Sequence, residues 1–451
     1  MKPDSSANKN FDIFHTPISK FINKKHELAI LADKIDWSYL EDAFAAHYAD
    51  LGRPGVSLRL LMGLNLLKFM YNLSDERVCS NWIENPYYQY FCGEVCFQHQ
   101  LPVDRSSMTN FRNRIGADEL EKLLQMSLAV AHNSGALDLK SCDKVIADTT
   151  VQEKAITYPT DGKLRYKALE RLAVLCKEYG IKLRQNYIRV GKGMMQQSLR
   201  YRHAKQYRRA MKCEKVLEVR LGRVIRDIRR KFEGEMPIAL KEALDKAMKI
   251  KGSMKGQRIY SWHAPEVECI GKGKAHKPFE FGCKVSIVTN LNPAPGGHFV
   301  LSSGALHGKP YDGHTLEGAI KNVEKIIGRE PSRGFVDKGY VGHKYEGRCK
   351  IYRSGQKRGV RAKLKVEIRR RSAVEPIIGH VKHDNRMVRH RLKGIEGDRI
   401  NAIMAATGYN LMRVLAWIAS LPSFLRQIYG RIVERFFANL TSQLIQNHQS
   451  C

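Results

Sequence analysis

Three acidic residues, Asp148, Asp337 and Glu375, stand where a metal-dependent phosphoryl-transfer site would need them. Asp148 closes the apolar run Val145-Ile146-Ala147, and Asp337 closes Gly334-Phe335-Val336, so both are expected at the ends of buried strands. Glu375 lies in a basic segment with helical spacing, Arg371 four residues before it and Lys382 seven after. At about 100° per residue these three side chains fall in one narrow stripe of a helix. Two strand-end aspartates and a helical glutamate can converge on a pair of divalent cations, which support in-line displacement at phosphorus. With neither cysteine nor histidine beside these acids, the donor set is oxygen, which favours magnesium or manganese over zinc. Taken singly, the Arg371–Glu375 pair is more often a solvated ion pair, and an Asp after a strand more often a turn former or helix cap. Their order and context together carry the reading. Asp143, upstream of Asp148, precedes its strand rather than ending it.

The elements that must position these acids follow from periodicity and caps. Residues up to about 135 read as helical. Ser57 caps a helix with Leu60, Leu61, Leu64 and Leu67 at helical spacing, and Ser74 opens another that stops at Asn85-Pro86. Asp104-Arg105-Ser106-Ser107 leads into TNFRNRIG, a capped helix start carrying Arg112 and Arg114, and such short basic helices suit a helix-turn-helix-like DNA-binding domain or, equally, an all-helical packing domain with no base contacts. From about residue 142 the period changes. DKVIAD reads as a first strand, and FEFGCKVSIV as the next, with Phe281, Cys283, Val285 and Ile287 alternating. HFVLSSGAL, GFVD and CKIYRSG follow as strands, with a helix from Thr315 to Ile327 that Asp312 would cap. Strands and helices in this order predict a mixed α/β layer domain.

Between the first two strands lies a helical insertion of roughly a hundred residues, a length that demands structure of its own. In it Lys205, Arg208, Lys212, Lys215, Arg223, Arg226 and Arg230 share one helix face, while Leu217, Leu221, Val224 and Ile228 share the opposite one. The helix is expected to pack through the apolar stripe and offer the basic one to phosphates; a solvated charged face is the alternative.

The 451 residues carry 77 Lys and Arg against 45 Asp and Glu, a formal charge of +32 with a pI near 9.8. So strong a basic balance is an argument about partners, and nucleic acid is the obvious polyanion. No run reaches the roughly 20 apolar residues needed to span a bilayer. The N-terminus MKPDSSANKNF lacks a signal peptide's apolar core, so a cytoplasmic protein without a membrane partner is expected. Ten cysteines without a regular framework read as reduced thiols. The clusters Cys92, Cys96, His99 and His263, Glu266, Glu268, Cys269 imitate metal sites only weakly.

VIADTT around Asp148, GFVDKGY around Asp337 and the block ending in Lys382 resemble the DDE transposases of bacterial insertion sequences, specifically the IS-five family, over nearly the whole chain. That family's last block reads Tyr-x2-Arg-x3-Glu-x6-Lys. Arg371, Glu375 and Lys382 match it, and Ile368 stands in the tyrosine's place. HAPEVECIGKGKAHKPFEFGCKVSIV and DERVCSNWIENPYYQYFCG are also similar to the family. The resemblance implies an RNase H-like mixed-sheet catalytic core (136–160 and 258–425) with a helical insertion (161–257). An all-α N-terminal DNA-binding domain (1–135) and a C-terminal helix (426–451) complete the expected organisation. It also implies Mg2+ (or Mn2+) held by Asp148, Asp337 and Glu375, with Arg371 and Lys382 holding phosphate or the acids. Lys338 and Tyr340 would contact the strand being cut, Gly339 would allow the turn between them, and His314 and His343 would be accessory groups. The expected function is binding of the element's terminal inverted repeats in double-stranded DNA, with cleavage and strand transfer by a homodimer or higher self-assembly. The rivals are a catalytically inactive DNA-binding protein derived from a transposase and an RNase H-like host nuclease.

Overall fold

The computed structural model describes residues 16–48, 55–232, 234–252, 258–271, 277–356 and 358–421. The expected C-terminal helix of 426–451 lies outside the described residues. The chain divides into two compact units, one of residues 1–152 with 284–451, the other of residues 153–283.

The first unit begins with seven helices: α1 (Ile18–Phe21), α2 (Glu27–Lys34), α3 (Trp37–Ala45), α4 (Leu58–Met70), α5 (Asp75–Glu84), α6 (Pro86–Phe91) and α7 (Ser106–Asn133). Two starts follow the expected chemistry: Ser57 accepts from Leu60 N–H and Ser74 from Arg77 N–H. Asn85, expected only to close α5, also caps α6, accepting from Tyr87 N–H with Pro86 at the first helical position. The start of α7, expected to be capped, follows Arg105 with no side-chain cap, because Asp104 takes the Ser106 N–H one residue earlier. α4 differs from the one-sided helix its leucines implied: it is buried nearly all round, Asn65 and Lys68 included. These polar groups are satisfied inside. Lys68 Nζ lies 2.8 Å from Asp75, and Asn65 accepts from Arg112 at 2.9 Å. α7 breaks at Gly116 (φ 76°), where a glycine backbone turns left-handed at no side-chain cost and the freed Ala117 N–H donates to Glu396.

The sheet of this unit has the order β4-β3-β1-β5-β6, from β1 (Lys144–Glu153), β3 (Phe279–Asn290), β4 (Val300–Leu306), β5 (Arg333–Val336) and β6 (Lys350–Arg353). β3 pairs antiparallel with β4. Leu291 N–H donates to Lys144 C=O and Lys154 N–H to Phe281 C=O, so β3 also runs against β1. β5 and β6 are parallel to β1, with Lys144 opposite Arg333 and Ile146 opposite Phe335. α12 (Asp312–Ile327) connects β4 to β5, and α13 (Ala362–Arg370), α14 (Val374–His383) and α15 (Gly394–Ser420) follow β6. Ile146, Phe335 and Leu291 pack against Val374, with Leu364 and Ile368 beside them, so α13 and α14 cover one sheet face.

α15 is the long core helix. It packs on α7, α4 and β4, so the N-terminal helices and the sheet share a core and a single compact unit. Gly408 lets α15 approach α4 backbone to backbone, for a Cβ there would stand 2.7 Å from the Phe69 carbonyl carbon. By length and composition α15 could cross a bilayer, contrary to the expectation that no segment would, but 72% of its apolar window is buried in the protein. Core burial accounts for that composition.

The second unit contains α8 (Asp161–Glu178), α9 (Ile188–His203), α10 (Tyr207–Lys231) and α11 (Ile238–Lys251), and the short strand β2 (Glu268–Gly271) pairs antiparallel with the start of β3. The expected apolar stripe of α10 is its core: Leu217, Leu221, Val224 and Ile228 pack with Leu169, Leu172, Leu240 and Leu244. Glu214 is buried in this unit and accepts from Ser198 at 2.8 Å and from Arg202 at 2.7 and 2.8 Å. Those donors and nearby Arg165 hold its carboxyl below the usual range, although burial alone pushes the other way.

Candidate functional site

Asp148 is on β1 and Asp337 directly follows β5. Continuing the parallel register by two residues from the Ile146–Phe335 pair sets Asp148 opposite Asp337. Asp337 stands at the end of its strand as expected, but Asp148 does not: β1 runs on to Glu153 through its pairing with β3, which leaves Asp148 in mid-strand. Asp148 and Ile146 project to one face, that of α13 and α14. There Arg371 Nη1 donates to Asp148 Oδ2 at 3.1 Å and its Nη2 to Glu375 Oε1 at 3.2 Å. One guanidinium thus joins the β1 acid to the helical one. On the same face Lys382 Nζ lies 3.4 Å from Thr150 Oγ1, two residues on from Asp148.

The stripe of Arg371, Glu375 and Lys382 does not come from one unbroken helix. α13 ends at Arg370, Arg371–Ala373 form a 3-10 turn, and α14 begins at Val374. Pro376 explains the break, since it offers no N–H to Ser372 C=O and its ring crowds that carbonyl. Glu367 ties α13 to the sheet, accepting from Lys144 at 2.6 Å and Arg333 at 2.9 Å. Ile368, in the tyrosine's place, packs with the Ile146–Phe335 cluster.

Burial pushes the Asp148 carboxyl above its ordinary range and the Asp337 charge adds to this; the Thr149 N–H and Arg371 oppose it. Asp337 is half-buried and accepts from Lys338 N–H at 2.6 Å, while Glu375 is exposed. Asp148 and Asp337 are neighbouring acids, and Arg371 links Asp148 to the exposed Glu375; all three offer oxygen atoms, the donor type that hard cations take.

Other expected residues fall elsewhere. Lys338 is exposed beside the acids, but Tyr340 is 1% exposed, so its ring belongs to the core beneath the turn rather than to a DNA-contacting surface. Gly339 sits in a 3-10 turn without positive φ; what its missing Cβ provides is clearance from Asp312 Oδ2, 3.2 Å from where a Cβ would stand. Arg112 is 3% exposed and bonded to Asp75, Asn65 and Thr109, which makes it a core ion pair, not a surface contact. Arg114 is exposed and its guanidinium lies over Tyr48. His314 is exposed against Tyr311, and burial pushes the His343 imidazole down. In the second unit Arg208, Lys212, Lys215, Arg223, Arg226 and Arg230 are exposed along α10. Lys215 pairs with Glu218 and Arg230 with Asp227. Lys205 is exposed too, but precedes the helix at a left-handed turn residue (φ 57°). The carboxylate of Glu266 is taken by Lys154.

Two groups near the acids, Asp312 and Lys284, were not assigned to the site by sequence. Asp312 was expected to cap α12, yet Tyr311 occupies the cap position and Asp312 turns its carboxylate to Thr149 and Lys284, each 2.9 Å from Oδ1. A lysine within the alternating strand FGCKVSIV was the available signal, since a half-buried cation needs a partner.

Residues 16–114, the helices α1 to α6 and the start of α7, match the family described as Transposase domain (DUF772). The chain is also 42% identical over 207 residues to the "Uncharacterized protein ORF8 in nfe locus" of Rhizobium meliloti, a match covering 46% of this chain and 100% of that protein. This chain belongs to that protein's family. It is transposase-like, and a transposase domain implies DNA as a partner. No solved structure matches the chain.

Proposed function

We propose that the chain is a DDE transposase of the IS-five type, which binds the ends of its element, cuts there and joins them to target DNA. One observation carries the reading: two carboxylates on neighbouring parallel strands, Asp148 within β1 and Asp337 just past β5, with Arg371 bonded to both Asp148 and Glu375. The strand order β4-β3-β1-β5-β6, with only β3 reversed against β1, β5 and β6 along that path, supports an RNase H-like core. The transposase-domain match supports the assignment from the other end of the chain.

Asp148, Asp337 and Glu375 would hold Mg2+ or Mn2+. Their crowding fits such cations, because burial and the neighbouring acid already raise the Asp148 carboxyl. Bound there, the cations would supply activation of the attacking oxygen and stabilisation of the leaving one. Arg371 holds Asp148 and Glu375 in register, and Lys382 and Lys338 would meet DNA phosphates. The exposed cations of α10 suit sequence-independent backbone contact in the second unit.

The test is cleavage of a labelled duplex carrying the element's end, in Mg2+ or Mn2+, by wild type and Glu375→Gln. Nicking at the end by wild type, with binding but no cutting by Glu375→Gln, is the expected result. Binding by both proteins with cleavage by neither in any metal would replace this reading with that of an inactive DNA-binding protein.

A further inference from the structure

We propose that Asp312 acts through Thr149 as a positioning residue for the acidic end of the sheet, an inference that rests on the metal-dependent reading above. Asp148 and Thr149 are consecutive on β1 and so project to opposite faces. Arg371 holds Asp148 from one face. From the other, the Thr149 hydroxyl donates to Asp312 Oδ1 at 2.9 Å, while the Thr149 N–H donates to Asp148 Oδ1 at 2.8 Å. Thr149 therefore ties the metal-binding candidate to the Asp312 carboxylate.

That carboxylate is fixed. Lys284 Nζ donates to the same Oδ1 at 2.9 Å and to Pro310 C=O at 2.8 Å, which balances the Asp312 charge and anchors it to β3. Asp312 is the first residue of α12, where the helix dipole favours an anion. Its Oδ2 faces the turn after Asp337, at the Gly339 position. One side chain thus bonds the residue after the first acid and faces the turn following the second. Neighbouring acids repel until cations arrive, and a clamp of this kind keeps both backbone segments in place meanwhile. Asp312 contributes as an outer support, like the groups that orient metal ligands from behind.

The experiment titrates the full chain with Mn2+ alone and reads free Mn2+ by electron paramagnetic resonance. Wild type is compared with Asp312→Asn, Thr149→Val, their double variant and Thr149→Ser, with folding followed by tryptophan fluorescence. Asp312→Asn and Thr149→Val should each weaken Mn2+ binding by about tenfold or more. The double variant should lose no more than the worse single, because both changes cut the same link. Thr149→Ser, which keeps the hydroxyl, should bind as wild type. Unchanged affinity in Thr149→Val, or additive losses in the double variant, overturns the inference while wild-type binding leaves the metal reading standing. Failure of wild type to bind Mn2+ overturns both. Should Asp312→Asn not fold, Thr149→Val against Thr149→Ser decides the matter alone.

Discussion

Replacing Arg371 by methionine should destabilise the metal-free protein by about 2 kcal/mol at pH 7. The number comes from the unequal burial of the partners. Arg371 and Asp148 side chains are 13% and 19% exposed, whereas Glu375 is 66% exposed. An ion pair at such separation gains about 4 kcal/mol in a partly buried setting before desolvation, which removes roughly half. The exposed Glu375 arm adds well under about 1 kcal/mol. Methionine retains much of the aliphatic volume, so the loss should belong to the charge. The assay is urea unfolding by tryptophan fluorescence in a Trp262→Phe background, which leaves Trp37, Trp82 and Trp417, all in the unit holding the site. Measured again at pH 4, the cost should shrink below about 1 kcal/mol, because a protonated Asp148 no longer needs a cation. It should shrink equally in an Asp148→Asn background. A cost that is the same at both pH values and in both backgrounds would refute the argument, and would mean that Arg371 stabilises by packing.

Three further outcomes are expected. Mn2+ affinity should fall on acidification at pH values above the ordinary aspartate range: the folded Asp148 carboxyl is raised, so it holds a proton that the cation must displace, whereas the unfolded carboxyl has already lost it. Stability from the protonated form is correspondingly present below the unfolded pKa and lost as pH rises through the folded one. A flat affinity profile down to pH 4 would contradict this. Glu214→Ala should cost the second unit about 3 kcal/mol, read through Trp262, since it strands Ser198 and Arg202 at a buried position; a loss below about 1 kcal/mol would show that water replaces the carboxylate. Gly408→Ala should cost about 2 kcal/mol, because its Cβ forces α15 off the α4 backbone, and a calorimetric midpoint equal to wild type would show that the contact yields freely.

Much of this architecture was legible locally. The apolar runs before Asp148 and Asp337 became parts of β1 and β5 because continuous apolar residues suit a strand buried on both faces, although pairing with β3 carries β1 on to Glu153. The caps at Ser57 and Ser74 act within one turn, and the leucine stripe of α10 is set by helical period alone. The Arg371–Glu375–Lys382 spacing suits one helix, but Pro376 breaks it before α14.

The order of the acids, the basic balance and the type of each main element were determined by the sequence, because neighbours within a turn or a strand decide them. Which charges meet was decided only by the tertiary structure. Arg112 looks in sequence like Arg114, yet packing with Asp75 and Asn65 buries the first and leaves the second exposed. Asp312 looks like a cap and instead meets Thr149, far away in the chain. The N-terminal helices join the sheet's core because α15, arriving last, packs against α4 and α7. Such pairings depend on long-range burial, where the cost of an unpartnered charge selects the contact and local pattern carries no record of it.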